Sequence, residues 1–262
     1  MKIDLTEKNA LVCGSTQGIG EAIAMEFAAC GASVVLVARN EESLRNVLRG
    51  LPASKTQNHN FIVADFSDPE SLRAKLHNFV SENPPVHILV NNTGGPKGGE
   101  IHKADTSEFE NAFKNHLICN QILVQALCEG MKKEKYGRII NIISTSVKQP
   151  IRNLGVSNTI RAAVANWAKT LSVELAPFGI TVNNILPGAT KTERLYGLFE
   201  ARSKASGKSV DEVKTEWMGE IPAGRFAEPE ELAYAAAFLA SPLAGYINGI
   251  NLPVDGGRLN CL

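Results

Sequence analysis

Short, almost unbroken apolar runs alternate along the chain with longer stretches whose apolar residues recur every three or four positions. The short runs predict strands: "ALVCG" from Ala10, "SVVLVA" from Ser33, "NFIVAD" from Asn60, "VHILVNN" from Val86, "RIINIIS" from Arg138, "ITVNNILP" from Ile180 and "INLPVDGG" from Ile250. Runs this continuous fit parallel strands buried on both faces. The longer stretches predict helices, as in "IGEAIAMEFAACG", which ends on Gly31 as a C-cap. Their alternation predicts a doubly wound parallel sheet, a Rossmann-like α/β fold, in a single domain over 1–262. One segment breaks the rhythm. Between Pro187 and Pro229 the chain is polar, helical in pattern and without a strand. An insertion after a strand's carboxyl end lies where such sheets bind ligands, so a helical lid is expected over about 190–226.

Composition narrows the partners. With 262 residues, 44% of them hydrophobic, the chain can bury a sizeable core. Lys+Arg and Asp+Glu balance at 27 each, which argues against nucleic acid or an anionic membrane as the main partner. The start, "MKIDLTEKNALVCG", is too charged for a signal peptide, and no apolar run reaches the ~18 residues of a membrane span. The five cysteines form no short zinc or redox spacing, so free thiols, no metal site and a reducing cytoplasm are expected.

The chemistry begins at "ALVCGSTQGIGEAIA", where Gly14, Ser15, Gly18, Ile19 and Gly20 join the first strand to the first helix. A helix N-terminus offers unpaired N–H groups to a pyrophosphate, and glycines let the backbone approach it closely. The second strand ends Val37-Ala38-Arg39-Asn40, with no acidic residue until Glu41. An acid there would repel a 2′-phosphate, whereas Arg39 can grip one, so NADP(H) is expected over NAD(H).

The G-x-x-x-G-x-G spacing resembles that of the short-chain dehydrogenase/reductase family, and the resemblance recurs along essentially the whole chain. "NNTG" from Asn91 looks like the family's segment after the fourth strand, and "GRIINIIS" like the strand ending in the catalytic serine. "LPGATKT" from Leu186 is similar to the segment beside the nicotinamide, and "LPVDGG" to the last strand. The nearest pattern is that of the bacterial 3-oxoacyl-carrier-protein reductases. The resemblance implies that Asp65 and Phe66 flank the adenine. It further implies that Asn92, Gly94, Pro187, Gly188 and Thr192 lie along the cofactor.

In that family a tyrosine donates the proton, and a lysine one helical turn on lowers its pKa and holds the ribose. Residues i and i+4 share a helix face, which explains the spacing. Ser144 matches the family serine, and thirteen residues on the tyrosine position holds Ser157. Arg161 takes the lysine position, and the block "WAKTLSVELAPFGITVNNILPG" secures the register. Counting back from Gly137 puts His116 at the family's asparagine, with Asn115 one residue away. A serine alcohol is too weak an acid to replace an activated phenol. Arg161 can hold a ribose and an anion, but it does not shuttle protons.

Lys148, on the loop after the fifth strand, is one candidate replacement acid, with Tyr196 on the lid and His116 as others. Lys97, Lys148, Arg152 and Arg161 together suggest a cationic pocket for an anionic small-molecule substrate. The expected activity is NADP(H)-dependent reduction of a 3-oxoacyl-like carbonyl. Reduction of an enoyl or dienoyl thioester, or cofactor binding without catalysis, are the alternatives. The small-residue stretch "RAAVANWAKTLSVELA" resembles the dimer-forming helix of tetrameric relatives, which implies a homodimer or homotetramer.

Overall fold

Successive residues of the first strand point to opposite sides: Ala10 and Val12 enter one apolar cluster, Leu11 and Cys13 the other. The same two-sided burial runs through the neighbouring strands, which is why their sequences are apolar throughout. The computed structural model describes residues 2–261. Its strands are β1 (Asn9–Cys13), β2 (Ser33–Ala38), β3 (Asn60–Val63), β4 (Ile88–Asn91), β5 (Gly137–Ile142), β6 (Ile180–Pro187) and β7 (Asn251–Val254). They form one parallel sheet in the order β3-β2-β1-β4-β5-β6-β7. The fold is the expected Rossmann-like α/β sheet.

The helices are α1 (Gly18–Ala29), α2 (Glu41–Gly50), α3 (Pro69–Glu82), α4 (Thr106–Phe113), α5 (Cys119–Glu134), α6 (Gly155–Leu175), α7 (Glu193–Ser206), α8 (Val210–Gly219) and α9 (Pro229–Ala240). α1 and α9 cover one face, with Phe27 fully buried between helix and sheet. α3, α5 and α6 cover the other. Gly31 lies one residue beyond the C-cap of α1 and adopts φ +98°, a conformation that favours glycine. Strand order reverses between β1 and β4, and that switch point opens a crevice at the strands' carboxyl ends.

Two features could not be read from periodicity. Asn91, Asn141, Asn184 and Asn251 sit side by side in the registers of β4 to β7. Each amide nitrogen donates to the next amide oxygen at 2.8 Å, forming a ladder across four strands. Between α4 and α5, residues Lys114–Ile118 form a π-helical turn, which inserts one residue into an otherwise continuous helix.

The segment between β6 and α9 packs around its own core. Thr192 caps α7 through its side chain, Gly207 ends it at φ +72°, and a Ser209–Glu212 capping box opens α8. Phe199, Val213, Ile221 and Phe226 form a separate apolar cluster, with Trp217 edge-on to Phe199 at 5.3 Å. The Lys191–Glu228 ion pair ties its two ends together. Among the described residues, no helix is long and apolar enough to cross a membrane.

Candidate active site

The crevice at the switch point is a cavity of about 790 Å³. Its floor is the turn after β1. Gly14 and Gly18 have φ +60° and +58°, and a Cβ on Gly14 would fall 2.8 Å from the Asn92 side chain and backbone. On Gly20, a Cβ would fall 2.1 Å from the Gly14 carbonyl oxygen. No other residue fits either position without displacing the turn. Gly14, Gly18 and Ile19 line the cavity, whereas Ser15 and Gly20 are not on its wall. Ser15 is fully buried and its Oγ accepts the Val37 N–H at 3.0 Å, which staples the turn to β2. Both residues shape the cradle from behind.

Arg39, Asp65 and Phe66 line one end, with Asn40 and Ser43 beside them. Arg39 is exposed and forms no ion pair among the described residues. The Asn40 side chain accepts the Ser43 N–H at 2.8 Å, so the capped start of α2 lies next to Arg39. Asp65 accepts the Ser67 N–H at 2.9 Å, and this hydrogen bond holds its carboxyl below the usual range. The bare turn and the unpaired arginine fit a dinucleotide that carries an extra phosphate.

The opposite end gathers Ser144, Ser157 and Arg161, with Asn92, Gly94, Pro187, Gly188 and Thr192 along the walls. Ser144 leaves β5 in extended conformation, and its Oγ accepts the Ser146 N–H at 3.1 Å. Its own proton stays free to donate. Ser157 and Arg161 stand one helical turn apart on α6 and both reach the cavity, as their spacing requires. Arg161 is 8% exposed; Nη1 donates to the Ile142 carbonyl at 3.0 Å and Nη2 to that of Thr93 at 3.4 Å. Its buried Nε has no partner. Burial, then the neighbouring Arg194, lowers its pKa to about 10, so it stays cationic at neutral pH.

The structure revises the other expectations for this end. Lys148 is half-buried and is not on the cavity wall, because the loop after β5 coils away through Thr145–Val147. Arg152 is exposed outside the wall, and Tyr196 is 43% exposed beside Phe199. Lys97 lines a second chamber of about 370 Å³ that shares Gly94, Gly95 and Asn115 with the first. The cation that joins Arg161 at this end of the main cavity is Arg194, from the first turn of α7. Nothing local in the sequence points to it, since its place depends on how the α7 segment folds over Gly95.

Both candidates for the asparagine position lie in the π-helical turn. Asn115 lines both chambers, and its buried Oδ1 is unpartnered. His116 faces only the second chamber, 2% exposed, with Nδ1 unpartnered. Burial, then Arg161 and Arg194, pushes its pKa down to about 2, so it is neutral and no proton donor. Among the described residues, the main cavity's wall carries no tyrosine, lysine, histidine or cysteine.

A switch-point cavity with a glycine cradle is the mark of a nucleotide-binding α/β protein. The profile of the family described as "Enoyl-(Acyl carrier protein) reductase" matches residues 14–258. The chain is 34% identical over 257 residues to the 3-oxoacyl-[acyl-carrier-protein] reductase FabG of Vibrio cholerae, covering 97% of this chain and 98% of that one. It is 29% identical to the NADPH-dependent reductase BacG of Bacillus subtilis, over 98% of this chain and 100% of that one. The structure of L-sorbose reductase from Gluconobacter frateurii, complexed with NADPH and L-sorbose, superposes with a TM-score of 0.92 at 32% identity, covering 100% of both chains. The chain belongs to the short-chain dehydrogenase/reductase family.

Proposed function

We propose that this protein is an NADP(H)-dependent reductase of a small carbonyl compound, in which the chain holds the oxygen's developing charge instead of protonating it. One observation carries this reading: Arg161, buried and cationic, shares a wall with Ser144 and Ser157. The cradle residues Gly14, Gly18 and Ile19 would hold the pyrophosphate and Arg39 the 2′-phosphate, and bound NADPH supplies a hydride. Ser144 keeps a free O–H, and the Arg161 guanidinium is fixed on two backbone carbonyls. Such preorganised donors are already aimed when charge develops, so little reorganisation opposes the reaction. An anionic substrate suits the surplus positive charge at this end.

A second reading, reduction of a carbon–carbon double bond conjugated to the carbonyl, is favoured by the bare cavity wall. An alkoxide is a strong base that needs a proton at once. The enolate of a conjugated carbonyl is far weaker, and Ser144, Ser157 and Arg161 can hold it until water protonates carbon. Among the described residues the wall beside Ser144 and Arg161 carries no tyrosine, lysine, histidine or cysteine to give a proton, so the second product makes the smaller demand.

The test follows NADPH consumption and product structure with acetoacetyl, crotonyl and quinone substrates. Turnover on at least one of them, lowered roughly 10²-fold in Ser144→Ala or Arg161→Met, is expected. The hydroxy or the saturated product separates the two readings. Tight NADPH binding with no turnover on the panel overturns both. Ordinary ketone reduction gained by the double change Ser157→Tyr, Arg161→Lys would show that the rest of the site is intact.

A further inference from the structure

Two guanidinium groups without a counter-charge face the same end of the cavity. Arg161 is anchored on the Ile142 and Thr93 carbonyls. Arg194 donates Nη2 to the Pro96 carbonyl at 2.7 Å and lies against Gly95, where an added Cβ would sit 3.1 Å from it. Arg161 is buried and Arg194 is exposed on the same wall, and among the described residues neither has a carboxylate partner. His116 in the adjoining chamber feels both charges. Two acids line the cavity, Asp65 at the far end and Glu193 on the exposed first turn of α7. Neither forms an ion pair with either arginine among the described residues, whereas Arg258, a further lining cation near Trp217, is matched by Glu220 at 2.5 Å.

Cations taken partly out of water are stable only with an opposite charge nearby. Among the described residues no carboxylate supplies that charge for the buried Arg161, and Arg194 presents an unpaired guanidinium on the same wall, so this end of the cavity suits an anionic ligand. We infer that the substrate is a free oxo acid or unsaturated oxo acid, and that Arg194 is the specificity-determining residue that receives its carboxylate. This rests on the reading of Ser144, Ser157 and Arg161 as the oxygen site, which commits Arg161 to the reacting carbonyl and leaves Arg194 for a second anionic group. The bidentate fork of an arginine matches a carboxylate. In a thioester or ester that carboxylate is masked, so the inference separates this protein from the acyl-carrier substrates in its relatives' names.

Binding to the NADPH-loaded protein tests this without turnover. 4-Oxopentanoate and 5-oxohexanoate are titrated against their methyl esters, by calorimetry and by the fluorescence of the bound cofactor. The acids are expected to bind roughly tenfold or more tighter than the esters, less so at high salt. Arg194→Met should bring that ratio below about twofold while the NADPH affinity stays unchanged, and Arg194→Lys should restore part of it. Two results overturn the inference: acids binding no better than esters in the unaltered protein, or Arg194→Met weakening NADPH while leaving the ratio intact, which would assign the arginine to a cofactor phosphate. A protein that prefers acids yet consumes no NADPH breaks the reductase reading alone. One that reduces thioesters as fast as free acids breaks this inference alone.

Discussion

The two ends of the cavity are built by different means. The end at Gly14–Gly20 is mostly backbone: positive-φ glycines, a buried Ser15 hydroxyl stapling the turn to β2, and Arg39 reaching from a strand end. The end at Ser144–Arg161 is mostly side chains, and several are left unpartnered: Arg161 Nε, Asn115 Oδ1 and, next door, His116 Nδ1. A backbone cradle survives sequence change as long as the glycines stay. A side-chain site can be rewritten by two substitutions one helical turn apart. Divergence of chemistry on a constant nucleotide scaffold follows from that asymmetry.

The hardest way to break the cradle is Gly20→Val, because the Cβ meets a backbone oxygen at 2.1 Å and nothing flexible can yield. NADPH binding should fall beyond detection by fluorescence titration, with a large drop in Tm. Arg161→Met should do the reverse to stability: replacing a buried, uncompensated charge with an apolar side chain should raise unfolding free energy by roughly 1–2 kcal/mol. The same variant should lose most turnover, so chemical denaturation and NADPH oxidation would move in opposite directions. A joint loss would show that the two carbonyl hydrogen bonds of Arg161 outweigh its charge.

His116 gives a pH signature to the side-chain end. Its folded pKa of about 2 lies below the unfolded value, so unfolding takes up a proton over that interval. Stability should therefore be full above neutral pH and fall as pH drops below about 6.5, by about 2 kcal/mol at pH 5 from this group. His116→Gln should flatten the slope in urea titrations at several pH values; His87, also lowered by burial, leaves a residual slope. The smallest effect is at the cradle's rim. Arg39→Ala should weaken NADPH roughly tenfold and leave NADH unchanged, as equilibrium titration of both cofactors would show.

The strands were legible in sequence because burial on both faces leaves apolar runs with few other meanings. Their edges were not. "VHILVNN" predicts a strand from Val86, yet β4 begins at Ile88, since His87 turns its Nδ1 to accept the Asn9 N–H. That Ser157 and Arg161 reach one cavity was legible because a helix fixes which residues share a face. The choice between Asn115 and His116 for the asparagine position was open in the sequence, and the two sit in a π-helical turn that no local signal marks. Arg194 was invisible: its placement is set by a carbonyl about a hundred positions away, at Pro96.

The asparagine ladder has a consequence for these site side chains. Arg161 is held by carbonyls at the ends of two adjacent strands, Thr93 just past β4 and Ile142 closing β5. Its aim is therefore only as good as the alignment of those strands. The Asn91–Asn141 rung lies two residues before Thr93 and one before Ile142, and works as a vernier: one notch of slip in either strand strands an amide in the apolar interior. Three rungs in line make β4 to β7 a graduated ruler, and the guanidinium reads its position off the last mark.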